Sequence, residues 1–183
     1  TSRVLGIWKA LFFVCLTGTI GFYPFVQDQI GIFINNSAAM QLLILTFIIT
    51  LFAALFEFEG LKEGKLSVIE PILGIELPVT VGLSIVLLKE EISLLQSILI
   101  FVIFIGIVFS VATKISHLHY HKKFLEKGVI AALVGATAMA LTNFLTGVSS
   151  IETAPLFALW FIYLLITLCC LFYLLLKGKI SEL

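Results

Sequence analysis

The chain has 183 residues, of which 61% are hydrophobic and 12% charged, and its mean hydropathy is +1.19. Soluble domains hold about 45–50% apolar residues, so a water-soluble fold could not bury this much apolar surface. Eleven basic and eleven acidic residues cancel, which gives no reason to expect a nucleic-acid partner or an acidic substrate. The composition therefore predicts a protein whose main solvent is the lipid bilayer.

Six apolar runs follow one another along the chain, each near the roughly 20 residues that a helix needs to cross a bilayer. Short polar connectors separate the runs, so neighbours in sequence are expected to pack side by side. The predicted fold class is an all-α, polytopic membrane helix bundle. The six predicted spans are Ile7–Val26, Ala38–Phe58, Leu66–Leu88, Ile92–Thr113, Gly128–Val148 and Pro155–Leu176.

The basic residues fall on alternate connectors, and this pattern predicts the orientation. Lys and Arg are retained on the cytoplasmic side of a membrane. With six spans only Lys89 faces the outside, so we expect a multi-pass plasma-membrane protein with both termini in the cytoplasm. The residues predicted on the cytoplasmic side are Arg3, Lys9, Lys62, Lys65, Lys114, Lys122, Lys123, Lys127, Lys177 and Lys179.

The third run carries two carboxylates, Glu70 and Glu76. A charge near the centre of a bilayer costs about 2.5 kcal/mol or more. Counted from Leu66, Glu76 lies about 15 Å into the helix, near the midplane, whereas Glu70 is about one turn from the cytoplasmic surface. We expect Glu76 to bind a proton or a cationic group of a substrate, with Glu70 as a relay towards the cytoplasm.

Prolines and glycines in the same run predict a kink. Pro78 removes the hydrogen bond to the carbonyl of Gly74, and Pro71 removes another near the helix start. Gly74, Pro78 and Gly82 recur every fourth residue and form a small-residue face, which either packs closely on another helix or leaves room for a ligand. We interpret these four residues as a candidate hinge and cavity wall.

The fifth run carries a second stripe of small residues, which continues to Asn143. Hydrocarbon would penalise the Asn143 amide, so we expect its side chain to point into the bundle. There it would either hydrogen-bond another helix or form part of a substrate site, and both interpretations stay open. The small residues of the stripe are Gly128, Ala132, Ala136, Ala140 and Gly147.

Three histidines, His117, His119 and His121, lie in the connector between the fourth and fifth runs. His117 and His121 are four residues apart, as in helical zinc pairs, but the neighbouring lysines favour solvated side chains. The three cysteines lie in apolar runs and indicate neither a disulfide framework nor a metal site. No catalytic or phosphate-binding motif occurs, so we expect no metal, no cofactor and no enzyme.

A set of short patterns begins at Gly60. The set comprises Gly60–Ile69, Pro71, Glu76–Pro78, Leu87–Gln96 and Gly106. It resembles the end of an EamA repeat of the drug/metabolite transporter superfamily, where a proline, a glutamate closing a leucine-rich run, a glutamine and a glycine recur. The corresponding residues here are Pro78, Glu90, Gln96 and Gly106. A second match, Gly128–Trp160, resembles the opening two helices of the next repeat.

The resemblance implies ten helices in two inverted repeats around a central cavity for small metabolites. On that mapping residues 1–115 belong to the first repeat, 116–127 form a basic cytoplasmic linker, and 128–183 open an incomplete second repeat. One helix would be missing at the start and three at the end. The family usually places the join between repeats outside, so either the helix assignment is shifted by one or this protein inserts the other way up.

The resemblance and the intramembrane carboxylates together predict a secondary transporter, a permease or exporter of a small metabolite, that works by alternating access. Proton coupling would occur at Glu76. Two alternatives stay open, a non-transporting scaffold or assembly subunit and an intramembrane enzyme. A scaffold would leave Glu76 replaceable, and an enzyme would need a His or Asp near Glu76, which no span contains. The sequence leaves a homodimer open.

Overall fold

The computed structural model describes residues 6–31, 36–116 and 122–177, and these residues form helices with no strand among them. A 3-10 turn, Gln27–Gln29, follows the first helix, and a π-helical turn, Ser84–Leu88, follows the fourth. The α-helices of the described residues are α1 Ile7–Val26, α2 Ser37–Glu63, α3 Leu66–Leu73, α4 Glu76–Leu83, α5 Leu94–Ser116, α6 Lys122–Glu152 and α7 Pro155–Leu176.

These helices coincide with the six predicted apolar runs, and they confirm an all-α, polytopic fold. By length and composition, five stretches of the described residues can cross a membrane: Ile7–Gln29, Ser37–Glu63, Leu66–Leu88, Lys127–Ile151 and Pro155–Leu176. A sixth, Leu94–Phe109, is a shorter apolar stretch. Many large apolar side chains are exposed on these helices, Leu94, Phe101 and Phe172 among them, as a lipid-facing surface requires.

Two helix boundaries differ from the predicted ones. Helix α2 continues past Phe58 to Glu63, and α6 begins at Lys122, inside the predicted linker 116–127. Lys, Leu and Glu favour helix, and neither segment contains a proline that would stop one. Charged residues therefore continue the helices beyond the apolar runs instead of forming loops.

The described helices form two compact units. One contains α1, α2 as far as Leu51, α6 from Leu145 onward, and α7; the other, Phe52–Phe144, contains the remaining parts of α2 and α6 together with α3, α4 and α5. The chain therefore passes between the units within α2 and within α6. This division does not follow the predicted linker, and the assignment of the helices to two repeats stays a prediction.

In the first unit α1 and α7 pack antiparallel through aromatic residues. The rings of Trp8 and Tyr173 stack with centroids 4.1 Å apart near one end. Farther along, the Trp160 Nε1 donates to the carbonyl oxygen of Thr19 at 3.1 Å, which satisfies an indole N–H that lipid could not. The buried core of this unit comprises Val26, Leu43, Phe157, Ala158 and Trp160.

In the second unit α2 and α6 pack antiparallel with their backbones in contact. A Cβ on Gly128 would lie 2.7 Å from the amide nitrogen of Gly64, and a Cβ on Gly60 would lie 3.0 Å from that of Ala132. Only small residues allow this approach, which is the usual way that membrane helices gain packing energy. The small stripe of α6 is therefore a packing surface at Gly128 and Ala132.

Candidate functional site

The third predicted span is broken in its middle, as its prolines and glycines predicted. Helix α3 ends at Leu73 and α4 begins at Glu76, with Gly74 and Ile75 between them. The Ile75 amide donates to the carbonyl of Ile72 at 3.0 Å, and the Leu77 amide to that of Gly74 at 3.4 Å, so the α-helical pattern is interrupted. The break leaves Glu76 as the first residue of α4.

The position of the break follows from Pro78. A proline inside a helix leaves one carbonyl without its amide donor and clashes with it. Here Pro78 is the third residue of α4 and lies in its first turn, where backbone amides have no partner within the helix. The two-residue break thus moves the proline from a helix interior to a helix start.

Contacts between the third span and α6 show which residue of α6 lies beside Glu76. Ile72 packs in one buried cluster with Ala132, and two turns later the Thr80 hydroxyl lies 3.2 Å from the carbonyl oxygen of Ala140. The third span therefore runs parallel to α6, and Glu76, midway between Ile72 and Thr80, lies level with Ala136. That level is eight residues beyond Gly128, about 12 Å along α6.

A second carboxylate lies at the same level. A Cβ on Gly135 would lie 2.8 Å from both the backbone nitrogen and the Cγ of Glu57, so Glu57 on α2 packs directly on the α6 backbone. Glu57 and Glu76 are close enough for their charges to interact. We call Glu57 and Glu76 the carboxylate pair.

The carboxylate pair lacks a compensating cation among the described residues. Lys62, on the last turns of α2, pairs instead with Glu59 at 3.8 Å and Glu63 at 3.5 Å. Within the described part of the chain, neither side-chain carboxylate of the pair accepts a hydrogen bond or forms an ion pair. Two uncompensated carboxylates inside membrane helices are expensive, and such groups usually belong to a transport pathway.

Glu57 was missed by the sequence prediction, although a signal was present. The predicted span Ala38–Phe58 placed Glu57 at its end, where a charge is unremarkable. Helix α2 continues to Glu63, so Glu57 lies six residues inside the helix. Gly60 and Gly64 follow it at helical spacing and predict a close helix contact on the neighbouring face.

The other residues predicted for the third span lie away from the pair. Glu70 is exposed on α3, six residues before Glu76 along the span. Gly74 faces α5, where an added Cβ would lie 3.5 Å from the Cδ1 of Ile107. Pro71 is partly exposed in the last turn of α3, and its carbonyl oxygen lies beside Gly74.

Pro78 and Gly82 line a groove of about 310 Å³ between α4 and α5. A Cβ on Gly82 would meet no atom within 4 Å, so this part of the small face leaves open space and does not pack on a helix. The groove is apolar, with Ile100, Phe101 and Phe104 on the α5 side. The candidate cavity wall and the carboxylate pair therefore lie on different faces of the third span.

A second groove, of about 550 Å³, lies on the other side of α4. Thr137 is its polar residue, and the Thr137 hydroxyl donates to the Leu133 carbonyl of its own helix at 2.8 Å. The groove is lined by Phe52, Val79, Leu83, Leu133, Val134, Thr137, Ala138 and Leu141. Helix α4 thus has an apolar groove on each side.

Asn143, which the sequence predicts to point into the bundle, has an exposed side chain, and its assignment to a substrate site stays a prediction. Asn143 follows Ala136 by seven residues, nearly two turns, so it shares the face of α6 on which the carboxylate pair lies. That face is covered at Ala132, Ala136 and Ala140, which are all fully buried, and is open at Asn143 and Gly147. The helical spacing of the small residues places Asn143 on this face of α6, but it does not show at which residue the face becomes exposed.

The histidines His117, His119 and His121 lie outside the described residues, so their predicted solvation stays a prediction. Cys15 and Cys170 are buried, Cys169 is partly exposed, and all three are free thiols. Within the described ranges no three His, Cys, Asp or Glu side chains cluster as metal ligands would.

The membrane-length apolar helices of the described residues are those of a polytopic membrane protein. The model of the EamA-like transporter family matches residues 1–112, which is more than half of the chain. The chain therefore belongs to the EamA-like transporter family, as the resemblance implied, and membrane transport is the general function of that family. Searches of curated proteins and of solved structures returned no match.

The matched range differs from the range that carried the resemblance. The family match begins at residue 1 and ends at 112, so it covers α1 to α4 and most of α5. The second part of the resemblance, Gly128–Trp160, lies beyond it. The assignment of α6 and α7 to a second repeat stays a prediction.

Proposed function

We propose that the chain works as a secondary carrier, a permease or exporter of a small metabolite, with the carboxylate pair as its ion or substrate-cation site. The observation that carries this proposal is the convergence of Glu57 and Glu76 at one level of α6, beside the break in the third span. Like charges held close together in a low-dielectric region repel each other, and a bound proton or ammonium group removes that repulsion. Such binding is reversible, as transport requires.

The second part of the proposal is that the protein works by alternating access. A carrier must expose its site to each side of the membrane in turn, and broken helices beside the site are common in carriers. The interruption at Gly74–Ile75 would serve as the hinge about which α4 tilts relative to α3. Glu70, exposed on α3, would relay protons on the cytoplasmic side. Asn143, about 10 Å along α6 from Ala136, would contact substrate on the other side.

The orientation is part of the same proposal, with both termini in the cytoplasm of a plasma-membrane protein. It is supported by the bias of lysines and arginines towards alternate connectors. A membrane-impermeant thiol reagent should label Asn36→Cys from outside intact cells and Lys65→Cys only after permeabilisation. Swapped accessibility at these two positions would contradict this orientation.

Reconstitution of the protein into liposomes tests the proposed function. Uptake or efflux is measured across a panel of amines, amino acids and other small metabolites, with and without a pH gradient. We expect at least one metabolite to accumulate with the gradient, and Glu76→Gln to abolish the accumulation, because glutamine keeps the shape of glutamate but cannot titrate. Glu57→Gln should have the same effect and Glu70→Gln a smaller one.

Glu59→Gln provides a matched control, because Glu59 is a half-exposed carboxylate on the same helix as Glu57, two residues away. We expect it to transport as the wild type does. If Glu76→Gln transported with the wild-type pH profile, Glu76 would have no role in proton coupling and would be a residue that only forms hydrogen bonds between helices. If the inserted wild-type protein moved no member of the panel, the scaffold alternative would be favoured instead.

A further inference from the structure

The Thr80 hydroxyl on α4 has two possible acceptors, one of which lies on α6. The Thr80 Oγ1 lies 2.8 Å from the carbonyl oxygen of Glu76 in its own helix and 3.2 Å from the carbonyl oxygen of Ala140 on α6. A threonine hydroxyl carries one proton, so it can donate to only one of them at a time. The first bond lies within α4, and the second joins two helices.

The surroundings of Thr80 leave α4 able to move. The break at Gly74–Ile75 separates α4 from α3, and a groove lies on each side of α4. Inside a membrane a hydroxyl without an acceptor is costly, because no water replaces the lost bond. The Glu76 carbonyl removes that cost, since Thr80 keeps a partner even when α4 leaves α6.

We propose that Thr80 is a latch, which holds α4 on α6 when its hydroxyl donates to Ala140 and frees α4 when it donates to Glu76. This inference rests on the proposed function, because the motion would carry the Glu76 side chain with α4. Thr80 then acts as a positioning residue that couples the movement of Glu76 to α6. The two bonding states of one hydroxyl correspond to two positions of the half-helix.

Spin-label distance measurements on the full chain in lipid nanodiscs test the latch without a transport assay. Labels at Leu83→Cys on α4 and Leu141→Cys on α6 flank the larger groove, in a background without the native cysteines. Thr80→Val keeps the shape of threonine and removes the hydroxyl. We expect it to shift the distance distribution towards the wider population by about threefold, which is what an average interhelical polar contact in a membrane supplies.

Two further variants test whether the effect is due specifically to the Thr80 hydroxyl. Thr80→Ser restores the hydroxyl and should restore the wild-type distribution. Thr137→Val is the matched control, because Thr137 faces the same groove but its hydroxyl bonds only within α6. We expect the control to match the wild type. A wild-type distribution for Thr80→Val, or the same shift for Thr80→Val and Thr80→Ser, would overturn the latch.

The transport assay distinguishes failure of the latch from failure of the proposed function. If the wild type moved no metabolite but Thr80→Val widened the distribution, the carrier proposal would fail and the latch would stand. If the wild type transported and Thr80→Val left the distribution unchanged, the latch alone would fail. Where both hold, Thr80→Val should lower the maximal rate more than it changes the half-saturating concentration.

Discussion

Helix α6 meets α2 and α4 in two different ways. Against α2 it packs backbone on backbone, with Gly64 and Gly128 so close that a methyl group cannot fit between them. Towards α4 it offers a carbonyl to the Thr80 hydroxyl, and grooves flank α4 on both sides. Close packing resists deformation, whereas a half-helix beside open space can tilt.

In the proposed mechanism, this difference separates a fixed part of the second unit from a movable one. Glu57 lies on the fixed part, where the backbone of Gly135 holds it in place, and Glu76 lies at the start of the movable α4. A small tilt of α4 would therefore change the separation of the two carboxylates. In the proposed carrier the affinity of the pair for a proton or cation depends on that separation, which would link binding to movement.

The largest effect is expected where the two helix backbones touch. Gly128→Ala places a Cβ 2.7 Å from the Gly64 nitrogen, which forces the helices apart and should lower the free energy of unfolding by about 1–3 kcal/mol. Gly82→Ala is the matched change on α4, where an added Cβ meets nothing within 4 Å. It should be neutral or stabilising by up to about 1 kcal/mol, because alanine favours helix. Thermal unfolding in detergent, followed by circular dichroism, measures both, and equal losses would remove the distinction.

At Pro78 we expect a smaller change in stability than at Gly128, together with a change in transport. Pro78→Ala supplies an α-helical amide donor for the Gly74 carbonyl, which otherwise accepts only from the Leu77 amide at 3.4 Å, so α3 and α4 can join into a continuous helix. The added backbone bond should raise the free energy of unfolding by about 0.5–1.5 kcal/mol, while transport in liposomes slows because the break is lost. Pro155→Ala, at the first position of α7, is the control and should leave transport unchanged. Faster transport by Pro78→Ala would argue against movement at the break.

The smallest effect is expected on the outer surface of α2. Lys62 pairs with Glu59 and Glu63, and its side chain and that of Glu59 are nearly half exposed. Exposed ion pairs contribute about 0–1 kcal/mol, so Lys62→Gln should change the unfolding temperature less than Gly128→Ala does. A loss as large as that of Gly128→Ala would mean that charges, and not backbone packing, hold this end of α2.

The elements that the sequence predicted well are those set by local chemistry. An apolar run of about 20 residues sums the preference of many side chains for lipid, so all six runs appear as helices. The break near Gly74 follows from the missing amide of Pro78, which no tertiary contact can supply. The end of α2 at Glu63 and the start of α6 at Lys122 were harder to predict, because charged residues that favour helix can continue a helix beyond the apolar run.

The elements that the sequence did not predict depend on contacts between distant segments. Glu57 becomes part of a site only because Gly135, far along the chain, accepts it against the backbone. Asn143 lies on the face that periodicity assigns to it, but periodicity carries no information on which helix covers that face. A carboxylate near a predicted helix end can therefore lie well inside the helix, as Glu57 does.

The most direct test of the carboxylate pair is its reaction with dicyclohexylcarbodiimide, a hydrophobic reagent that modifies protonated carboxyl groups within membranes. The protein is treated in liposomes over a range of pH, and the modified glutamates are located by peptide mass spectrometry. The proposed mechanism requires the pair to hold a proton that a substrate cation replaces, so it predicts modification at Glu57 or Glu76, loss of it in Glu57→Gln/Glu76→Gln, and protection by a transported amine. Modification confined to Glu59, Glu63 and Glu70, with Glu57 and Glu76 unreacted at every pH, would contradict the account.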